Sequence, residues 1–200
     1  ISIICSQALL PYFLPTQINQ FQDKLPDIKF NINVGDGEKA ISYLRDFKSD
    51  LAIIFEPVRS NYIETISTIN QPIQAVMSPE HPLSKFKSIN LADCLKYPLA
   101  LPPSPYAVRE ILEIAAAEES LDLNPTVEAE SYIFLHNFVS RKKNAISFEV
   151  EIDVPKQSLD RSISTVPINL SKSHQGQIHL LKLQGRTFSG ATEQLSLIHI

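Results

Sequence analysis

Tryptophan is absent from the 200 residues, methionine occurs once, cysteine twice and glycine 5 times. So few glycines leave little for a phosphate cradle, and neither a phosphate-loop motif nor a Gly-x-Ser-x-Gly elbow is present. Paired carboxylates with a shared location are not evident either, so the residues supply no catalytic apparatus and no enzyme is expected. Long apolar runs are missing too. The longest, LAIIF at 51–55, is strand-length, well short of the roughly 18–20 residues of a membrane span. No basic-then-apolar leader opens the chain. Positive charge is in deficit: 18 Lys and Arg against 22 Asp and Glu give a net charge of −4 and a pI near 5.7. Such a chain has no overall basic field with which to hold phosphates, so any contact with DNA is expected outside it. Cys5 and Cys94 fall on apolar element faces and read as two reduced core thiols, which fits a cytoplasmic location. His81, which reads as a surface turn, and His136, His174, His179 and His199 show no metal-ligand spacing, so no metal and no cofactor is expected.

What is present is an ordinary globular composition, 44% hydrophobic and 20% charged, with strands and helices alternating along it. SIIC at 2–5 reads as a buried strand, and Ser6-Gln7 as the turn after it. A helix then follows with Pro15 in its opening turn, where no backbone donor is lost. IKFNINV at 28–34 alternates as a half-buried strand, Gly35-Asp36-Gly37 breaks it, and a helix is expected from about Glu38 to Phe47 before the apolar strand LAIIF. Strand and helix in this order imply parallel pairing through crossovers, and continuously apolar strands suit a sheet covered on both faces. Further strands are expected at 62–69, 72–78, 98–101, TVEAE, AISFEV, ISTVPINL and QIHLLKL. Helices are expected at NLADCLKY, capped by Asn90, from Val108 to about Glu119, from Tyr132 to about Lys142, near 151–160 and from about Ser189. That makes roughly ten strands and seven helices, too many for one small sheet, and divides naturally into two α/β lobes.

Several stretches in this order carry a resemblance. LLPYFLPTQINQFQDKLPDIKFNI, LRDFKSDLAII, SPEHPLSKFKSINLADCLKYPLAL, AISFEV and LLKLQGRTFSGA together resemble the effector-binding (co-inducer) domain of LysR-type transcriptional regulators, along nearly the whole chain. RKKNA at 141–145 departs from the family's glycine pattern before the late strand, which puts the close backbone approach there in doubt. The tail LSLIHI at 195–200 is strand-like, unlike the family's last helix. The resemblance implies an α/β fold of two Rossmann-like lobes, type 2 periplasmic-binding-protein-like. Lobe I would be discontinuous, 1–70 and 169–200, and lobe II 71–168, with crossings near Asn70 to Pro72 and Val166 to Asn169. It further implies a small-molecule effector held between the lobes, a homodimer (a tetramer for the full-length protein), and a winged helix-turn-helix domain ahead of this stretch. That domain would carry the DNA contact. A transporter's solute-binding protein shares the fold and is the alternative.

Ligands of open α/β sheets sit at the carboxyl ends of strands, which selects Ser6, Gln7, Gly35, Asp36, Phe55 and Glu56 in the first lobe. Pro103, Ser104, Ser131 and Phe148 are their counterparts in the second. Plainer readings stand beside these. Ser6 and Ser131 could be helix N-caps, Asp36 a turn residue, Glu56 a solvated carboxylate and Phe148 core. A carboxylate at 56 opposes a strongly acidic effector unless Arg59 or Arg109 offsets it. The basic run Arg141-Lys142-Lys143 lies at an expected helix C-terminus, where cations complement the dipole, and reads as a cap rather than a DNA patch.

Overall fold

The computed structural model describes residues 1–11, 13–56, 59–153, 162–171, 176–188, 190 and 192. The chain falls into two compact units, one formed by 1–70 and 177–200, the other by 71–176.

In the first unit, β1 (Ser2–Cys5), β2 (Asn31–Val34) and β3 (Leu51–Phe55) are joined by β4 (Ile63–Gln71) and β10 (Gly176–Leu183). The order across the sheet is β2-β1-β3-β10-β4. β1 runs parallel to both β2 and β3, with Cys5 opposite Val34 and Ile53, while β10 is antiparallel to β3. The parallel pairs need crossovers, and α1 (Phe13–Gln22) and α2 (Gly37–Arg45) supply them. α2 lays Ala40 and Leu44 on Ile4, Ala52, Ile54 and Leu181. α1 buries Phe13, Leu14 and Phe21, and Phe21 meets Phe30 edge-on with ring centres 5.7 Å apart. A 3-10 turn at Gln7–Leu9 precedes α1, so Pro15 sits in the first turn of the helix, as its missing N–H requires.

The second unit is built on β8-β5-β9, where β5 (Ile73–Met77) is antiparallel to both β8 (Ile146–Val150) and β9 (Ser164–Pro167). β6 (Ala100–Leu101) and β7 (Val127–Glu128) form a parallel pair, and a parallel bridge from Leu99 to Ile146 ties β6 to β8. Every residue of β5 and β8 is buried, beneath α4 (Ala107–Glu118) and α5 (Tyr132–Arg141). α3 (Leu91–Cys94) is a single turn that buries Leu91 and Cys94.

Several sequence expectations need correction. β2 starts at Asn31, and β7 keeps only two residues of TVEAE. Asn90 does not cap α3 through its side chain; its Oδ1 accepts from Asn169 Nδ2 at 3.0 Å instead. His81 is in a turn but is buried, 1% exposed, against Tyr97 with ring centres 4.4 Å apart. Its Nδ1 accepts from Leu83 N at 3.1 Å, and desolvation holds its pKa below the usual histidine value. The return to the first unit comes at 176/177 rather than near 168/169, because β9 pairs with β5 and Ile168 bridges to Ile89. The helix near 151–160 is a 3-10 turn over Glu151–Asp153; the remainder of that expectation, the final helix and the tail 195–200 lie outside the described residues. Among those residues there are ten strands and five α-helices, and no helix is long and apolar enough to cross a membrane. Cys5 and Cys94 are buried thiols, and burial pushes Cys94 up to about 12.

Candidate functional site

The first unit gathers its sequence-selected residues at strand ends. There β1, β2 and β3 finish side by side. Gly35 N donates to Cys5 O at 3.1 Å, and Ser6 N donates to Ile53 O at 3.0 Å, so the ends of three strands are stitched together just past their last ladder bonds. Ser6 is not a side-chain helix cap. Its Oγ accepts from Phe55 N at 3.1 Å, which fixes the oxygen and leaves the hydroxyl proton available to donate outward. Beside it, Gln7 Oε1 is closed off from solvent and has no hydrogen-bond partner, an unmet acceptor of the sort that costs stability unless something donates to it.

Gly35 is needed for room rather than for φ. A Cβ there would come within 2.8 Å of Lys39 Cδ and 3.0 Å of Ile4 Cδ1. Asp36, read as a turn residue, is the N-cap of α2: its Oδ1 accepts from Lys39 N at 2.9 Å. Lys39 Nζ in turn donates to Val34 O at 2.7 Å. Phe55 is a buried strand end. Glu56 takes a left-handed backbone, φ 48°, a conformation uncommon outside glycine and asparagine. Reciprocal bonds hold it: Glu56 N donates to Gln177 O at 2.9 Å, and Gln177 N donates to Glu56 Oε1 at 2.5 Å. Gln177 Nε2 continues the rim by donating to Asn70 Oδ1 at 2.7 Å. Glu56 is thus exposed yet anchored, and more than a solvated carboxylate. His179, next along β10 on the same side as Gln177, keeps a pKa below the ordinary value because burial outweighs the favourable charge of Glu56.

In the second unit, β6 runs into the turn at Pro102–Pro105, where Pro103 is half-buried and Ser104 exposed. Arg109 braces this turn from α4. It is 8% exposed, with Nε on Glu113 Oε1 at 2.6 Å, and Nη1 on Glu128 Oε1 at 2.8 Å and Pro102 O at 3.5 Å. Its charge is therefore met by two carboxylates. Ser131 caps α5, accepting from Phe134 N at 3.3 Å. Phe148 is fully buried in β8, as core. Arg141 and Lys142 end α5, and Lys143 pairs with Glu80 at 2.6 Å.

Sequence reasoning overlooked three features. Gln177 and Asn70 reach the rim only because β10 lies between β3 and β4, a pairing that leaves no local signature. The third is a buried pair in the second unit: His136 Nε2 and Glu149 Oε2 lie 2.5 Å apart, with the Glu149 side chain 1% exposed. Among the described residues no group of His, Cys, Asp and Glu could hold a metal ion.

The sequence matches the LysR substrate binding domain family over residues 1–193. The chain belongs to that family. It is the effector-binding kind of domain found in LysR-type regulators. Among curated relatives, the activator CmpR of Synechocystis sp. is 26% identical over 120 residues, which are 60% of this chain and 40% of that protein. The regulator CysB of Haemophilus influenzae is 34% identical over 89 residues, 44% of this chain and 28% of that one. The chain thus spans well under half the length of either. These relatives are transcriptional regulators, which does not favour a transporter's solute-binding protein. Solved structures give the same fold. The QuiR effector-binding domain in complex with shikimate superposes with a TM-score of 0.76 at 22% identity, covering 98% of this chain and 94% of that one. The CcmR regulatory domain of Synechocystis PCC6803 in complex with 2-PG gives 0.78 at 15%, covering 97% and 92%.

Proposed function

We propose that this LysR-family domain senses a small molecule at the carboxyl ends of its strands, with Ser6, Gln7, Gly35, Asp36, Phe55 and Glu56 as the first unit's contribution. Pro103, Ser104 and Ser131 are the second unit's, and Phe148 supports them from the core. The observation that carries this reading is the pair Ser6 and Gln7, a hydroxyl whose oxygen is fixed by Phe55 N and a buried side-chain carbonyl oxygen with no partner. Groups held this way are preorganised for a ligand. The liganded relatives of the same fold, QuiR with shikimate, CcmR with 2-PG and BenM with benzoate, support it. The effector acts by preferring one of two conformations and shifting their populations, and its leverage is limited to its differential affinity. DNA is contacted by a winged helix-turn-helix domain of the longer protein, which works in the cytoplasm as a homodimer or a tetramer.

A thermal-shift screen of the chain against a metabolite library tests this, since a ligand of the folded state raises the melting temperature by mass action. Ser6→Ala and Ser104→Ala should each weaken a hit by about 1 kcal/mol. Unchanged shifts in both variants would remove these residues from the site.

A further inference from the structure

α2 ends on an unfavourable residue. Past the C-cap Asp46, Lys48 N donates to Tyr43 O at 2.9 Å and Phe47 N to Leu44 O at 3.3 Å, the closing pattern that sets a left-handed residue, most often glycine, after the cap. Phe47 holds that position with φ 55°, where a bulky side chain is an outlier. Its ring is 69% exposed, so burial does not compensate for the backbone. Strain kept at an exposed position is a sign of function. The ring also has company. Arg186 lies 5.6 Å from it and 5.7 Å from the ring of Phe188. Gln184 N, two residues before Arg186, donates to Tyr62 O at 2.8 Å, and Arg45 lies 4.5 Å from the centre of the exposed Tyr62 ring. These contacts join Phe47, Phe188, Tyr62, Arg186 and Arg45 into one surface of the first unit. Arg186 is paired with Asp50; among the described residues Arg45 has no carboxylate partner.

α4 of the second unit carries the complement. It buries Val108, Leu112, Ala115 and Ala116, and its other side presents Glu110, Ile114, Ala117 and Glu118, all exposed, in a helical i, i+4 stripe. Ile114 is 54% exposed. From Glu110 to Ser140 the sequence has no lysine or arginine, and Arg109 just before is engaged with Glu113 and Glu128. We infer that the aromatic and cationic surface around Phe47 of one copy docks on the acidic, isoleucine-bearing face of α4 of a second copy. This rests on the self-association read above and names faces for it. The rings cover Ile114, and Arg45 meets the carboxylates beside it, Glu110 first. Aromatic rings and arginine are the side chains that dominate such contacts, and the opposite charges set orientation more than affinity.

The test follows the 200-residue chain by sedimentation equilibrium from micromolar to millimolar concentration. Self-association should be present and should weaken with salt, which screens exposed charges. Phe47→Gly should weaken it about tenfold or more while leaving the melting temperature equal or higher, because glycine suits the left-handed turn. Arg45→Glu and Glu110→Arg should each weaken it alone. An equimolar mixture of those two variants should associate as the unsubstituted chain does, since opposite charges then face each other again. Self-association that all three substitutions leave unchanged would keep the oligomer and overturn this contact, as would a mixture no tighter than its components. Monomers at every concentration would overturn the contact and remove this domain from the oligomeric reading beneath it.

Discussion

Glu149 sits near the end of β8 with 1% of its side chain exposed, facing His136 of α5. Its second oxygen, Oε1, has no partner. Desolvation raises its pKa, and the hydrogen bond and charge of His136 pull the other way without cancelling the rise. Removing the imidazole leaves a buried carboxylate without its charged partner, so His136→Ala should destabilise the chain by about 3–5 kcal/mol in chemical denaturation. Glu149→Gln, which keeps a hydrogen-bonding side chain of the same shape, should cost far less. The pH dependence has a definite sign. A carboxyl whose folded pKa lies above its unfolded value of 4.5 holds more protons folded than unfolded, so stability falls as pH rises from there through the folded pKa. Glu149→Gln should flatten that fall; a profile unaltered by the substitution would show that the carboxyl carries no such penalty.

At the scale of elements, the strand-to-helix junction at 34–37 joins three constraints in a few residues. Val34 O holds Lys39 Nζ, Asp36 caps α2, and Gly35 leaves space for Lys39 and Ile4. Gly35→Ala is therefore expected to cost about 1–3 kcal/mol by overcrowding. Part of that should return in the double variant with Lys39→Ala, measured as a double-mutant cycle. Additive losses would mean that Ile4 Cδ1 and the Cβ retained at position 39, each 3.0 Å away, are what resist the new methyl group. Apolar periodicity placed the strands and most helices well, and Pro15 at the opening of α1 was legible because a proline's missing donor is a local fact. Caps were less legible. Ser6, Asn90 and Ser131 all look like caps in sequence, yet only Ser131 is one by its side chain, since Ser6 found a partner at the end of β3 and Asn90 one in the chain that follows β9. A cap competes with any tertiary donor or acceptor that folding brings near, and sequence spacing does not record that competition.

For the molecule as a whole, net charge decides what it does not hold. With −4 over 200 residues and its one basic run engaged at the end of α5 and on Glu80, the chain should not retain duplex DNA at physiological salt in a mobility-shift assay. Retention that weakened steeply with salt would point to a phosphate-binding face in this domain. The strand-end residues of β1, β2 and β3 could be named from sequence because parallel strands must present their carboxyl ends together. Residues 169–176 were assigned to the wrong unit, since β9 and Ile168 are held by β5 and Ile89 and nothing in ISTVPINL says so. The sequence by itself determined the class of fold, the two-unit division and the thiols buried in the core, because each follows from local periodicity, burial and charge. The tertiary structure alone decided that Gln177 and Asn70 join the rim, that Arg109 is spent on two carboxylates and that His136 meets Glu149. Each of these depends on which strands and helices come to lie side by side, and side-chain partners are settled only when residues far apart in the chain are packed together.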